Sequence, residues 1–437
     1  MTDATATHAP PAAARPALTA REAQQRRLRR RYASEARFRW YGRIAIFIAL
    51  GFLALLLTRV VSQGYTAFWT HSITLDVRMD PARLDPAYIE GTNFNVMGAD
   101  AVIAKLGLVD DPAGETLDEV QELLSPGLGF QLLHRLRDDR SLIGKQVLLE
   151  APVSDDADLY LKGKIKRSTP EEARTLTDRQ MDHLDRLKQA GALRVHFNST
   201  LLSRSDSTQP ELAGLLGAIV GSAMTLLITA LLAVPIGVMA AIYLEEFAPQ
   251  NRFTDIVEVN INNLAAVPSI VYGLLGVALF INWMGLPRAS PLVGGLVLSL
   301  MALPTVIIAT RSSLKAVPPS IREAALGVGA SRTQMVFHHV LPLAMPGVMT
   351  GTIIALAHAI GETAPLLLIG MVSFVPGVPV DPGSASTVLP VQIFIWENAA
   401  ERGFHERTAA AIMVLLFFMI LMNATAIMLR RRFERRW

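Results

Sequence analysis

Ser320-Ile321-Arg322-Glu323-Ala324-Ala325-Leu326-Gly327-Val328-Gly329-Ala330-Ser331-Arg332-Thr333-Gln334, running on to Pro346, separates two segments apolar enough to cross a bilayer. Ser320 and Glu323 have capping-box spacing, so a helix is expected to begin there. Gly329 can end that helix in the left-handed conformation without a Cβ penalty. Ser331 and Gln334 repeat the cap, and Pro342 is expected to stop the second helix. A polar helical hairpin at 320–346, gripped by membrane spans on both sides, is a rigid knob that can take mechanical force from a partner. An ordinary capped loop fits the local spacing as well, and the membrane context favours the knob.

That context comes from composition. The chain has 437 residues, 51% of them hydrophobic, with a mean hydropathy of +0.35, too apolar for an ordinary soluble globule. It contains no cysteine, which excludes disulfides, thiolate metal sites and a cysteine nucleophile. The net charge of +3 matters less than its placement. Arginines crowd Arg21–Arg43 and Arg430–Arg436, flanking apolar runs where the positive-inside rule puts such residues in the cytosol. No nucleic-acid role is expected from them.

Outward from the hairpin, six crossings are expected: Ile44–Val61, Leu212–Tyr243, Asn263–Ile281, Leu292–Thr310, Gly347–Val372 and Ala409–Leu429. Residues 1–43 form a basic tail, disordered over about the first 20, and 44–62 anchor it. Residues 63–210 are a different material. They hold 23 acids against 17 bases and no run of spanning length. They read as a small α+β domain outside the membrane, with helices at Leu117–Leu136 and Pro170–Ala190 and strands at Gln146–Ala151 and Leu193–Phe197. Its His134, His183 and His196 are isolated in sequence and are expected to be structural or exposed, not metal ligands. The membrane region spans 211–437, with Glu245–Asn260 an amphipathic helix at the cytosolic surface and Ser373–Arg407 a loop. Both termini and the hairpin then fall inside a bacterial cytoplasmic membrane, in contact with lipid.

Glu362 lies within the fifth expected span. A carboxylate at membrane depth is costly unless it faces protein or a water-filled path, so it is a candidate functional group, with a structural hydrogen bond to a neighbouring helix as the alternative. His358 is one turn earlier on the same face and can share a proton or hydrogen bond with it. Gly361 and Pro365 can loosen the helix beside Thr363. Arg311, at the inner end of the fourth span, is either an anion contact or a snorkelling interface residue. Asn262 and Asn263 either cap the third span or line a gate.

Glu323-Ala324-Ala325, Gly329 and Leu341-Pro342 together resemble the EAA motif of importer-type ABC permeases, with His339 a small departure. Asn263–Gly273, Gly361–Leu366 and the Ser205-Asp206-Ser207…Pro210-Glu211 lead-in resemble segments of the permeases of phosphate-specific importers. The resemblance covers about residues 197–430. It implies an all-α polytopic protein of the type I ABC importer permease fold, with the small domain inserted. It implies that Glu323, Ala324, Ala325, Gly329, Leu341 and Pro342 couple to an ABC ATPase dimer that holds ATP and Mg in place of any cofactor here. It implies that Glu362, His358, Thr363, Arg311 and Asn263 line a path shared with a homologous permease and fed by a periplasmic phosphate-binding protein. His358 stands where the family commonly has arginine, so the fixed positive charge comes from the partner or anion affinity varies with pH.

The chain lacks the Gly-x-x-x-x-Gly-Lys-[Ser/Thr] phosphate loop, the His-Glu-x-x-His zinc motif and the Gly-x-Ser-x-Gly elbow, so it is expected to be a transport subunit, not an enzyme. The rivals are an ABC permease for another anion or solute, an ion-coupled secondary transporter with Glu362 as proton carrier, and a membrane-anchored sensor.

Overall fold

The computed structural model describes residues 20–84, 89–108, 115–372 and 374–433. The expected disordered tail falls on residues 1–19 and the last arginines on 434–437, outside the described residues. The described residues fall into two compact units divided between Arg59 and Val60. α1 (Ala20–Gly64), which makes up the first and ends in the second, carries the basic approach and the expected first span as one unbroken helix.

In the second unit, the segment after α1 forms a three-stranded antiparallel sheet, β1 (Trp69–Arg78), β2 (Gln146–Pro152) and β3 (Leu193–Phe197), in the order β2-β1-β3. Sequence reading finds β2 and β3 but misses β1, the central strand. Its signal is plain: Ile73, Leu75 and Val77 alternate with Thr74, Asp76 and Arg78, and all three apolar side chains are fully buried. They pair with Ala151, Leu149 and Val147 of β2. Helices α2 (Phe94–Leu106), α3 (Glu115–Gln121), α4 (Gly127–Asp138), α5 (Asp155–Leu161), α6 (Asp178–Gln189) and α7 (Ser199–Ser203) accompany the sheet. The expected 117–136 helix is two, because Pro126 cannot sit inside one. The expected 170–190 helix starts only at Asp178, behind a capping box of Thr177 and Gln180.

The membrane region holds α8 (Leu216–Ile242), α9 (Arg252–Ala265), α10 (Ser269–Gly276), α11 (Pro291–Lys315), α12 (Pro319–Gly327), α13 (Arg332–Met335), α14 (Leu341–Gly361), α15 (Ala364–Leu368), α16 (Leu389–Glu397) and α17 (Gly403–Phe433). Among the described residues, five helices are long and apolar enough to span, or six if the bent α9–α10 pair counts as one. Small residues let the bundle close. A Cβ on Gly237 would lie 2.8 Å from Val306, and one on Gly351 2.1 Å from Ala309. The 27 residues of α8 extend about 40 Å, setting the inserted domain at its start and the hairpin at its end.

Two spans, the end of the hairpin and one loop depart from expectation. The third span does not begin at Asn263: α9 and α10 meet at 100° across Ala266-Val267-Pro268, and α10 runs on as a π turn to Trp283. Pro342 does not end the hairpin's second helix. A π turn at Val336–Val340 joins α13 to α14, widening the coil just where Pro342, in the first turn of α14, lacks an N–H to donate. The fifth span stops at Gly361 and does not reach Val372. The stretch expected as a loop over 373–407 contains α16, whose Trp396 is one of the largest fully buried side chains.

Candidate functional site

At the hairpin end, α12 begins differently from the expected capping box. Pro318 precedes it and Pro319 takes its first position, with no side-chain cap from Ser320. Gly329 is left-handed, at φ +89°. Its N–H donates to the Leu326 carbonyl at 3.0 Å, and that of Ala330 to Ala325 at 3.1 Å, a Schellman closure. Ser331 and Gln334 form the expected box. Ala325 is buried in one cluster with Met335, Val336 and Val340. Leu341 and Pro342 are half-buried, and Glu323 and Ala324 are exposed. Val328 is 86% exposed and Leu326 and Phe337 are exposed beside it, leaving the hairpin's outer face bare and partly apolar.

Ion pairs brace the hairpin from behind. Arg322 reaches Glu246 at 2.7 Å while donating to the carbonyls of Val317 at 2.7 Å and Leu314 at 2.9 Å, which closes the end of α11. Arg311 is held by Glu245 at 3.4 Å and Glu258 at 2.5 Å, tying α11 to α9 and to the turn after α8. Its guanidinium is thus already committed to two carboxylates. Sequence reading misses Glu245, Glu246 and Glu258 as partners, though adjacent glutamates ending an apolar span are the available signal.

The second site is the break after α14. Glu362 has extended backbone, φ −77° and ψ 122°, and its N–H returns to the Ala359 carbonyl. His358 Nε2 lies 3.2 Å from Glu362 Oε1, with the His358 side chain 67% exposed and that of Glu362 18%. Thr363 starts α15, which Gly370 closes at φ +96°. A Cβ on Gly273 would lie 2.7 Å from Pro365 Cα, so α10 and α15 touch backbone to backbone. The two segments most telling in sequence therefore meet in space. Asn262 and Asn263 cap nothing there: Pro268 precedes α10, and Asn263 is exposed in the last turn of α9. Its carbonyl accepts the Ala266 N–H, and Tyr272 Oη donates to Leu264 at 2.8 Å across the bend.

At the opposite end, buried charges seat the inserted domain on α17. Lys162 bridges Asp158 at 2.6 Å and Glu406 at 3.1 Å, and His71 Nδ1 bonds Asp158 at 2.7 Å. Burial pushes the Asp158 carboxyl up, but His71 and Lys162 outweigh it and hold the group below its ordinary value. Asp155 packs so closely on Gly403 that a Cβ there would lie 1.8 Å from its Oδ1. Burial pushes the Asp155 carboxyl up to about 7, against the pull of Arg407. Buried Arg407 donates to the Ala213 carbonyl at 2.9 Å, and Ser125 Oγ donates to Glu211 at 2.8 Å. Among the described residues no cluster suited to a metal ion occurs.

Residues 233–437 match the family described as binding-protein-dependent transport system inner membrane component. The chain is 32% identical to phosphate transport system permease protein PstA 1 of Mycobacterium tuberculosis over 217 residues, half of this chain and 70% of the relative. It is 34% identical to PstA 2 of Mycobacterium bovis, covering 51% of this chain and 74% of that one. The chain belongs to the PstA family of transport permeases. It is accordingly a multi-pass permease subunit of an ABC importer, not an enzyme, and nucleotide binding resides in a separate ATPase. A solved MetNI methionine ABC transporter aligns with half of this PstA-family chain and 95% of its own, at 18% identity and a TM-score of 0.42. Residues 25–171 match a domain of unknown function, DUF3333, which takes in the end of the tail, the first span and most of the inserted domain.

Proposed function

We propose that this chain is the permease subunit through which an ATP-driven importer of the bacterial inner membrane passes phosphate. The observation that carries the proposal is the His358–Glu362 pair at the break of the fifth span, with α15 pressed against α10. A helix end at membrane depth leaves backbone groups unpaired, which is tolerated only beside protein or a watery path. The His358 side chain is 67% exposed, and a homologous PstC-like permease is the natural surface to face it. The pair on that face gives an anion an imidazole to approach, and Glu362 a partner when the anion leaves. The phosphate transport named for both PstA relatives, at 32% and 34% identity, supports the substrate.

Force enters at the other end. A PstB-like ATPase dimer binding ATP and Mg docks on the bare face of the 320–346 hairpin, around Glu323, Ala324 and Val328. Arg322 with Glu246, and Arg311 with Glu245 and Glu258, pass its displacement to α8, α9 and α11. Leu341 and Pro342 carry it into α14 and so to Glu362. Thr363 and Asn263 lie at the two helix breaks on this route. Both termini and the hairpin then lie in the cytosol, the inserted domain lies outside, and a PstS-like binding protein delivers phosphate there. Alternation between inward- and outward-open states follows ATP-driven closure of the partner. ATP-dependent phosphate uptake in proteoliposomes holding this chain, its permease partner and the ATPase, supplied with the binding protein, tests the proposal. Wild-type uptake by Glu362→Gln would remove the pair from the path, and uptake that an uncoupler collapses while ATPase loss spares it would replace ATP with a proton gradient.

A further inference from the structure

The inserted domain meets the lead-in to α8 across an open cleft of about 690 Å³ at the end of the bundle opposite the hairpin. α4 contributes His134 and Arg135 to its wall, and the segment before α8 contributes Arg204, Ser205 and Ser207. The Arg204 guanidinium makes no hydrogen bond or ion pair among the described residues, and His134 is exposed. Arg135 spends one N–H on the Leu148 carbonyl at 3.1 Å and keeps the rest of its fork. Ser205 is 9% exposed, and its hydroxyl is buried without a partner. The one carboxylate on the wall, Asp206, is occupied: Trp396 Nε1 donates to it at 2.9 Å and the Ser207 N–H at 3.0 Å. Two guanidinium groups and the Ser207 hydroxyl are therefore what the cleft offers a solute.

The wall is also rigid. The Arg204 carbonyl accepts the Leu216 N–H at 2.9 Å and that of Ser205 accepts Gly214 at 2.8 Å. A Cβ on Gly214 would lie 2.2 Å from the Arg204 carbonyl oxygen, so glycine is required for the two strands of chain to close. Arg204 is thereby fixed at the very start of the first bundle helix. Trp396 links Asp206, beneath the cleft, to α16. Guanidinium forks, one of them on a fixed backbone, with the Ser207 hydroxyl on the same wall, match the oxygens of a tetrahedral oxyanion.

We propose that this cleft is a holding site for inorganic phosphate on its way into the bundle, and that furnishing half of it is a function of the inserted domain. The inference rests on the phosphate reading above. A site built from one free and one partly used arginine binds weakly enough to release its ion onward, and its affinity falls with salt.

The test is equilibrium binding of radiolabelled inorganic phosphate to the assembled permease–ATPase complex in nanodiscs, without binding protein or nucleotide. Saturable binding is expected, weakened about tenfold or more by Arg204→Gln and by Arg135→Gln and much less by Arg204→Lys, in complexes that assemble normally. No saturable binding by the wild type, or equal binding by all variants, overturns the site. Loss of binding-protein docking with unchanged phosphate binding also overturns it, making the cleft a protein-docking face. ATP-driven phosphate uptake by the wild-type complex in proteoliposomes supplied with the binding protein judges the transport reading separately. Uptake without cleft binding sinks only the holding site, cleft binding without uptake upholds the site and sinks the transport reading, and binding of sulfate but not phosphate overturns the holding site.

Discussion

Replacing Arg322 with methionine removes the brace between the hairpin and the bundle while keeping most of the side-chain volume. The arginine bonds Glu246, which is 5% exposed at its side chain, and closes two carbonyls at the end of α11. Removing one partner of a buried pair costs about 3–5 kcal/mol. The Arg322 side chain is 22% exposed, so water can reach the orphaned Glu246 and carbonyls, and about 2–3 kcal/mol is the expected penalty. That is a roughly 30- to 150-fold rise in the population of the detached hairpin. Hydrogen exchange of the 317–331 segment in the assembled complex should quicken by a comparable factor. Phosphate uptake should fall more than ATP hydrolysis, because the ATPase loses its lever and not its chemistry. Arg322→Lys keeps the charge but not the fork, and should lie between. Unchanged exchange in Arg322→Met would refute the bracing role.

Gly273→Ala should force α10 from α15 and cost about 1–3 kcal/mol, lowering thermal stability and uptake. Gly327→Ala, with nothing within 4 Å of its Cβ, should be neutral to slightly stabilising by the same melting assay. Asp155, with its carboxyl raised from 3.8 to about 7, stabilises the folded joint most below pH 4 and loses that contribution as pH rises through 7, a swing of about 4 kcal/mol at most. Arg407, Glu211, Asp156 and Asp158 face it, and the lowered Asp158 acts oppositely, only as pH falls below its ordinary 3.8. Asp155→Asn should therefore flatten the loss of stability between about pH 4 and 7, and a steeper loss in the variant would contradict the assignment. Glu362→Gln and His358→Ala should each abolish phosphate uptake in complexes that still assemble and hydrolyse ATP, and uptake at the wild-type rate would count against the pair.

The features legible in sequence were those written locally. The Ser331–Gln334 cap, the left-handed Gly329, strands β2 and β3 and the apolar spans each follow from short-range spacing. The misses come from groups outside the short pattern being read, some of them adjacent and some far away in the chain. Ser320 loses its capping role to Pro318-Pro319, and Pro342 is carried through by a π turn that no local pattern marks. Arg311 was legible as a cation but not its commitment to Glu245 and Glu258, which lie 66 and 53 residues away. Strand β1 was missed despite clear alternation, since only a single turn at Tyr65–Phe68 separates it from α1. The Lys162–Glu406 contact spans 244 residues, so the seating of the inserted domain was beyond any local reading.

The central claim is that the hairpin receives force from a nucleotide-driven partner. The chain has no natural cysteine, so Glu323→Cys gives a unique thiol on the bare face of α12. In the assembled complex, a short thiol cross-linker should join it to the ATPase subunit, with a yield that changes between ATP-bound and nucleotide-free states. Labelling of that thiol from the extracellular side of intact cells, or no cross-link to the ATPase in either state, would contradict the account.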